Sequence, residues 1–186
     1  MRVIAGRLGG RTLVAPAGAA TRPTADRVRE ALFSILGDIE GARVLDLFAG
    51  TGALGIEALS RGASRATFVE AKGTALRALR TNIGALGLAN QATVLPLRVE
   101  RALSTASWGE GAFDLIFMDP PYADVRAGAF AAPLEKALNL GLAPSLDGSG
   151  RLVLEHGSPS PAPKVVGLEL SSTRTYGDTS LSFYLR

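Results

Sequence analysis

The segment Asp119-Pro-Pro-Tyr122 combines a carboxylate, two consecutive prolines and an aromatic ring directly after a short apolar run. An amino group on a nucleic-acid base is a weak nucleophile, because its lone pair is delocalised into the ring. The Asp119 carboxylate and the Pro120 carbonyl can accept its N–H bonds, which localises the lone pair. The prolines fix the backbone and supply no competing N–H, and the Tyr122 ring offers a stacking surface for an extruded base. We predict Asp119, Pro120 and Tyr122 as catalytic residues, against the alternative of an ordinary proline-rich turn.

A second motif, Gly50-x-Gly52-x-x-Gly55, also follows an apolar run. Glycines at this spacing let the backbone turn tightly and approach a ligand. Dinucleotide-binding proteins share the pattern, and they also carry an acid at the distance of Glu70, where it binds ribose hydroxyls. The glycines and Glu70 therefore leave the identity of the cofactor open.

Asp46, just before the glycine motif, favours S-adenosylmethionine over a dinucleotide. A carboxylate here repels a diphosphate, whereas it attracts the ammonium group of S-adenosylmethionine, and free amides of the turn can bind that cofactor's carboxylate. The alternative is that Asp46 only caps the turn. The predicted cofactor-binding residues are Asp46, Phe48, Ala49, Gly50, Gly52, Glu70, Ala71 and Asp119.

Strand and helix patterns alternate from residue 43 onward and position these motifs. Short apolar runs bounded by charge or glycine, typical of buried parallel strands, lie at 43–48, 65–70, 92–97, 114–118 and 151–155. Helical patterns lie at 53–61, 72–86, 99–106 and 127–140, which predicts a parallel sheet covered on both faces. Two further strand patterns, at 164–173 and 181–185, have no helix between them and must be antiparallel.

This order of elements predicts an α/β, Rossmann-like class I methyltransferase fold, with a mostly parallel seven-stranded sheet and one antiparallel strand. The first and fourth strands flank the switch point of such a sheet. The glycine motif and Asp119 then face each other across one crevice, where cofactor and target meet.

The N-terminal region is basic, with six arginines and one aspartate in residues 1–29. Extended runs at 1–5 and 11–15 predict a basic β-hairpin, and we assign residues 1–20 to this extension and 21–186 to the methyltransferase domain. A helix follows, with Thr24 as its N-cap and an apolar face of Val28, Leu32, Ile35 and Leu36. The arginines form either a phosphate-binding surface or a solvated terminus. The predicted substrate-binding residues are Arg2, Arg7, Arg11, Arg22, Thr24 and Tyr122.

Composition excludes several kinds of chemistry. The chain has no cysteine, and so no disulfide, Cys-ligated zinc, iron–sulfur cluster or thiol nucleophile, and its one histidine, His156, argues against a metal site. The proportions of apolar (47%) and charged (20%) residues are those of a folded globular protein. No apolar stretch reaches roughly 20 residues, and the first residues do not resemble a signal peptide. We expect a cytoplasmic monomer.

The motifs together resemble the bacterial RsmD family of 16S rRNA methyltransferases. The similar segments cover nearly the whole chain: 2–11, 22–33, 46–55, 119–122 and 176–181. The resemblance implies methylation, by S-adenosylmethionine, of the N2 amine of one guanine in 16S rRNA, within the small ribosomal subunit or its assembly intermediate. One position departs from the pattern: Arg98 stands near the expected site of an acid that binds the adenine amino group, so backbone groups at 97–99 or the side chain of Glu100 would take that role.

Three other functions stay open at this point. The same chemistry can act on adenine N6 or on a glutamine side chain of a protein. A nicotinamide-dependent oxidoreductase would share the glycine motif and Glu70. An RNA-binding factor without catalysis would share the basic N-terminal region.

Overall fold

A computed structural model of the chain describes residues 1–16, 23–105, 113–121, 132, 134–135, 150–158 and 160–185. The side chains of residues 23–25 and 105 are not described. Arg22, Tyr122 and most of the predicted helix at 127–140 lie outside these residues.

The described residues form one seven-stranded sheet in the order β3-β2-β1-β4-β5-β7-β6. All neighbours pair in parallel except β7, which is antiparallel to both β5 and β6. This topology confirms the predicted mostly parallel sheet with one antiparallel strand. The strands are β1 (Arg43–Leu47), β2 (Arg65–Val69), β3 (Ala92–Leu95), β4 (Leu115–Met118), β5 (Arg151–Gly157), β6 (Glu169–Tyr176) and β7 (Thr179–Leu185).

The sixth strand was placed too early by the sequence pattern, at 164–173 instead of Glu169–Tyr176. The reason is a turn in which the Leu168 N–H donates to the Val165 carbonyl at 3.2 Å and Gly167 has a φ of +83°. Val165 is buried, so its apolar character reflects packing under the sheet rather than strand pairing. Strand β6 then runs on to the tight turn at Gly177 and Asp178.

Four helices whose bounds lie among the described residues cover the two faces of this sheet: α1 (Pro23–Leu36), α2 (Ala53–Ser60), α3 (Gly73–Ala85) and α4 (Val99–Thr105). Alternate strand residues point to opposite faces, which divides the buried apolar side chains into two clusters. Helices α1, α2 and α3 pack on one face, which we call the α1 face, and α4 packs on the other.

Helix α1 does not bury Ile35, which was predicted on its apolar face and is 38% exposed. Phe33 takes part in the buried face instead, with its ring 5.7 Å from that of Phe117 in β4. The buried stripe of α1 therefore contains Phe33 in place of Ile35. At the end of α1, the Leu36 carbonyl accepts a hydrogen bond from Arg151, the first residue of β5. The helix therefore runs against the parallel strands and begins, at Pro23, toward the edge where they end.

Residues 1–16, which we call the N-terminal arm, are only partly the predicted hairpin. The two segments pair antiparallel through one isolated bridge, Arg2 with Thr12, around a short 3-10 helix at Gly6–Leu8. Val3 and Leu13 are buried in the core of the α1 face. The predicted β-hairpin extension is thus not confirmed, because apolar burial docks the arm on the domain. The domain boundary near residue 20 falls among residues that are not described and stays a prediction.

Glu57 of α2 holds the arm in place. Its side chain is fully buried, and its carboxylate accepts hydrogen bonds from the N–H groups of Ile4 (2.7 Å) and Ala5 (3.0 Å) and from Arg61 Nε (2.7 Å). Arg29 Nε lies 3.8 Å from it. A buried carboxylate needs such partners, because desolvation without them is costly. Glu57 was not singled out in the sequence, where it reads as an ordinary helical glutamate.

Candidate active site

The glycine motif forms the turn between β1 and α2, as predicted. Gly52 precedes α2 with a left-handed φ of +84°. A Cβ on Gly55 would lie 2.3 Å from Cε1 of Phe68 in β2, so this glycine permits close packing of the helix on the sheet. Phe48, although not a glycine, has a φ of +66°. Strained backbone of this kind concentrates at functional sites, and Phe48 lines the pocket described below.

Asp46 is buried beneath this turn, and its Oδ2 accepts a hydrogen bond from the Gly55 N–H at 2.9 Å. Burial raises its pKa to about 7; the Gly55 hydrogen bond acts against this shift, and the charges of Asp119 and Glu70 add to it. Asp46 therefore supports the turn. A cation placed above it would favour its ionised form, because an opposite charge lowers the pKa of an acid.

Glu70, the residue after β2, joins the glycine turn to the start of α3. Its Oε2 accepts from the Gly50 N–H at 2.8 Å, and its Oε1 accepts from the Lys72 N–H at 2.6 Å. A carboxylate has about four acceptor positions. These two bonds orient the group and leave acceptor capacity for two neighbouring hydroxyls, such as those of a ribose.

A cavity of about 680 Å³ opens above these groups, at the edge where the parallel strands end. Its volume falls within the usual range of small-molecule sites. Of the predicted cofactor-binding residues, Asp46, Ala49 and Gly52 are absent from the wall and belong to the turn beneath or beside it. The lining residues are Phe48, Gly50, Val69, Glu70, Ala71, Lys72, Ala75, Leu97, Arg98, Val99, Glu100, Asp119, Pro120 and Pro121.

Several lining residues were not predicted, namely Val69, Lys72, Ala75 and Pro121. Val69, Lys72 and Ala75 carry no motif, and only the packing of α3 and β2 brings them to the cavity, whereas Pro121 belongs to the Asp119-Pro-Pro-Tyr122 motif. The segment 97–100, considered above for adenine, lines the same wall. Glu100 lies in the first turn of α4.

Asp119 stands at the other side of the cavity, as expected for the fourth strand. Strands β1 and β4 pair with Leu47 opposite Met118, so Phe48 and Asp119 follow on neighbouring strands. Asp119 is reached by solvent where the cavity opens, but the surrounding protein removes much of the water around its carboxyl group, and this desolvation raises its pKa to about 6. Pro120 is buried and Pro121 exposed. Tyr122 lies outside the described residues.

The predicted substrate-binding arginines are not equivalent. Arg2 and Arg11 are exposed on the arm. Arg7 is also exposed, but it donates to the Leu59 carbonyl at 3.4 Å and to Gln91 Oε1 at 2.5 Å, at the end of α2 opposite the glycine turn. Thr24 lies in the first turn of α1, and Arg22 is not described. These five positions stay predictions.

The buried His156 has a structural environment. Its Nε2 lies 2.8 Å from Ser182 Oγ, which in turn lies 2.9 Å from Thr173 Oγ1. In the part of the chain that is described, no group of three or more metal-binding side chains is found, and no helix there is long and apolar enough to span a bilayer.

Known proteins match the chain along its whole length. The family model described as "Conserved hypothetical protein 95" matches residues 1–185. The "Putative rRNA methyltransferase YlbH" of Bacillus subtilis is 40% identical over 186 residues, covering 99% of this chain and 98% of that protein. The "Ribosomal RNA small subunit methyltransferase D" of Escherichia coli K12 is 39% identical over 141 residues, covering 75% of this chain and 66% of that protein.

Solved structures share the fold. A "Putative methyltransferase yhhF from Escherichia coli" superposes with a TM-score of 0.84 and 34% identity, covering 100% of this chain and 97% of that one. At 14% identity, the magnesium protoporphyrin IX methyltransferase of Synechocystis, solved with bound SAM, has a TM-score of 0.63 and covers 88% of this chain and 80% of that one. The second likeness concerns the fold alone.

Proposed function

The chain belongs to the family described as conserved hypothetical protein 95, and on that premise we propose that it transfers a methyl group from S-adenosylmethionine to the N2 amine of a guanine in 16S rRNA. Its relatives include proteins named ribosomal RNA small subunit methyltransferase D, which confirms the resemblance to the RsmD family. Methylation of rRNA follows from these relatives. That the target is a guanine, methylated at its N2 amine, is the more specific part of the proposal.

The position of Asp119 and Pro120 carries the proposal. Both line the cavity at the end of β4, across from the glycine turn. An amine between the Asp119 carboxylate and the Pro120 carbonyl would have its N–H bonds engaged and its lone pair directed into the cavity. Such positioning of a nucleophile is worth several orders of magnitude in rate.

The cavity fits S-adenosylmethionine better than a dinucleotide. The buried Asp46 lies beneath the glycine turn, where an ionised carboxylate would repel a diphosphate. Glu70 keeps acceptor capacity for ribose hydroxyls, and an ammonium group held above the turn would favour the ionised form of Asp46. Apolar side chains of Val69, Ala75 and Leu97 offer a surface for the adenine ring.

When bound, S-adenosylmethionine supplies a methyl group on a positively charged sulfur. The protein's part is to orient the amine and receive its proton. With a pKa of about 6, Asp119 is mostly ionised at neutral pH, so it can first accept an N–H hydrogen bond and then take the proton that the methylated amine releases.

The exposed arginines of the N-terminal arm support an RNA substrate. The exposed Arg2 and Arg11 can bind phosphates, which positions RNA without reading its sequence. Folded RNA is recognised largely by shape, and the assembled or assembling small subunit presents such a shape. We propose that the protein acts on it as a cytoplasmic monomer.

The test is transfer of labelled methyl from S-adenosylmethionine to small ribosomal subunits that lack the modification, with naked 16S rRNA in parallel and nucleosides identified by mass spectrometry. We expect N2-methylguanosine. N6-methyladenosine would keep the chemistry and replace the target base. Transfer to neither RNA by a protein that binds the cofactor would reject an RNA substrate and direct the assay to DNA and to glutamine side chains.

A further inference from the structure

Glu155 is brought beside Asp119 by the pairing of β4 with β5. The two strands are parallel, with Phe117 opposite Val153 and Met118 opposite Leu154. The next residue on each strand is Asp119 on one and Glu155 on the other. Neighbouring strands lie about 4.8 Å apart, so the register places the two carboxyl-bearing residues side by side.

Both side chains belong to the same face of the sheet. Phe117 and Val153 lie in the core of the α1 face, whereas Met118 and Leu154 lie in the opposite core. Because side chains alternate along a strand, Glu155 follows Val153 onto the α1 face, and Asp119 follows Phe117. Glu155 is also held by β7, where Leu181 is its partner.

Glu155 lies on the side of Asp119 that faces away from the cofactor cavity. The cavity is lined by residues that follow β1, β2, β3 and β4, and Glu155 in β5 is not among them. In the sheet order, β4 separates β5 from β1. Glu155 therefore stands on the side from which a target base can reach Asp119 without displacing the cofactor.

We propose that Glu155 is a positioning residue for methyl transfer: its protonated carboxyl group donates a hydrogen bond to Asp119 and holds that carboxylate in its ionised form against the target amine. This role rests on the proposed function. Glu155 does not touch the reacting atoms, and it acts through Asp119.

The electrostatics of the pair agree with this assignment. Two adjacent carboxyl groups resist being ionised together, so one of them keeps a proton. Burial, with the charge of Asp119 added, raises the pKa of Glu155 to about 8, above the value of about 6 for Asp119. The proton of the pair is therefore held mainly by Glu155 at neutral pH.

The other elements around Glu155 bring little compensating charge. Its partner in β7 is the apolar Leu181, and the cation next in that row, Arg174 of β6, lies one strand further away and is exposed. From α1, which packs on this face, Asp26 and Arg29 bind each other at 3.0 Å, while Arg27 and Glu30 are exposed. In β1, Asp46 is itself acidic and interacts with Asp119. The described surroundings thus favour the neutral form of Glu155.

Glu155→Gln and Glu155→Ala test the proposal by single-turnover methyl transfer across pH 5–9, with Glu169→Gln on the exposed start of β6 as the charge-matched control. We expect the wild-type rate to rise through about pH 6 and fall through about pH 8, as the two carboxyls of the pair ionise. Glu155→Gln keeps a neutral hydrogen-bond donor, so its rate at pH 7 should stay within roughly threefold of the wild-type rate. Because the glutamine does not ionise, the fall in rate through about pH 8 should disappear. Glu155→Ala loses about tenfold in rate, with unchanged affinity for S-adenosylhomocysteine.

A second measurement does not depend on the substrate. In ¹³C NMR of the glutamate side-chain carboxyls, we expect one signal that titrates near pH 8 and is missing in Glu155→Gln. An alkaline decline that persists in Glu155→Gln, an unchanged rate in Glu155→Ala, or the absence of this signal overturns the role of Glu155 alone. A wild-type protein that shows the signal but methylates no RNA overturns the proposed function, and the role of Glu155 falls with it.

Discussion

The side chain of Asn82 in α3 pairs with both backbone polar groups of Val14. Its Oδ1 accepts from the Val14 N–H at 2.8 Å, and its Nδ2 donates to the Val14 carbonyl at 3.0 Å. The same Nδ2 donates to the carbonyl of Thr51, between the first two glycines of the motif, at 3.0 Å. One buried amide thus joins the end of the N-terminal arm to the turn that borders the cofactor cavity.

Replacing Asn82 with Ala is expected to weaken both attachments. Three backbone groups would lose their partner, at a cost of roughly 1–3 kcal/mol for each one left buried and unpaired. We expect a lower melting temperature and a dissociation constant for S-adenosylhomocysteine about tenfold higher, from thermal unfolding and titration calorimetry. Asn90→Ala, at an exposed position, is the matched control and should change neither. A lower melting temperature with unchanged affinity would mean that Asn82 holds the arm only.

Asp119→Ala should abolish methyl transfer and leave cofactor binding nearly intact. The target amine loses a hydrogen-bond acceptor, and the proton that it releases loses its first acceptor. Together these losses should lower the rate by about 10²- to 10⁴-fold. Single-turnover assays on small subunits measure the loss, and calorimetry with S-adenosylhomocysteine measures the binding. Asp38→Ala, at an exposed position after α1, makes the same change in charge away from the cavity and serves as the control. Full activity of Asp119→Ala would reject the mechanism.

Because the pKa of Asp46 is raised in the folded protein, the stability of the cofactor-free protein should depend on pH. Its folded-state pKa of about 7 lies above its ordinary value of 3.8, so the folded protein holds the proton more tightly. Stability therefore decreases as pH rises from about 4 to about 7, by up to about 4 kcal/mol from this group. Asp46→Asn should remove this decrease in urea unfolding, and Asp38→Asn, at an exposed position, should not.

The same group links cofactor binding to proton release. An ammonium group near Asp46 would favour its ionised form, so affinity for S-adenosylhomocysteine is expected to rise with pH through about 7. Calorimetry in two buffers of different ionisation enthalpy counts the protons released. Binding without proton release in the wild type, or with equal affinity in Asp46→Asn, would show that Asp46 serves only the turn.

Two glycine substitutions should have opposite effects on stability. Gly55→Ala places a methyl group against the Phe68 ring, and such overpacking costs about 1–3 kcal/mol. Gly84→Ala, near the end of α3, meets no atom within 4 Å and should stabilise the helix by about 0.5–1 kcal/mol. Urea unfolding distinguishes them. Equal effects would show that α2 does not pack as closely on β2 as described.

The arginines of the arm predict a graded salt dependence of RNA binding. Arg2→Ala and Arg11→Ala should each weaken binding and reduce the slope of log affinity against log salt by about 1. Arg7→Ala should also lower the melting temperature, because Arg7 bonds to Leu59 and Gln91. Arg174→Ala on β6 is the control. If the salt dependence of affinity is unchanged in Arg2→Ala and Arg11→Ala, the arm does not contact the RNA.

Local patterns in the sequence were enough to predict the α/β fold, the mostly parallel sheet and the two motifs that border the cavity. The reason is that short-range periodicity and glycine spacing depend directly on strands, helices and tight turns. They did not give what packing decides: strand β6 begins later than its apolar run, Ile35 is exposed, and the arm pairs through one isolated bridge with its apolar residues buried on the domain. The partners that Asn82 and Glu57 find in the N-terminal arm are more than fifty residues away in the sequence, and no local pattern encodes them.

Glu155 illustrates what only the tertiary structure decided. In the sequence it is one glutamate at the end of an apolar run, and, unlike Glu70, it stands at no characteristic distance from the glycine motif. The parallel register of β4 with β5 makes it the neighbour of Asp119, and the register of β1 with β2 brings Glu70 to the glycine turn instead. The chemistry of a carboxyl group depends on which charges and how much water surround it, and these are set by strands that meet only after the chain has folded.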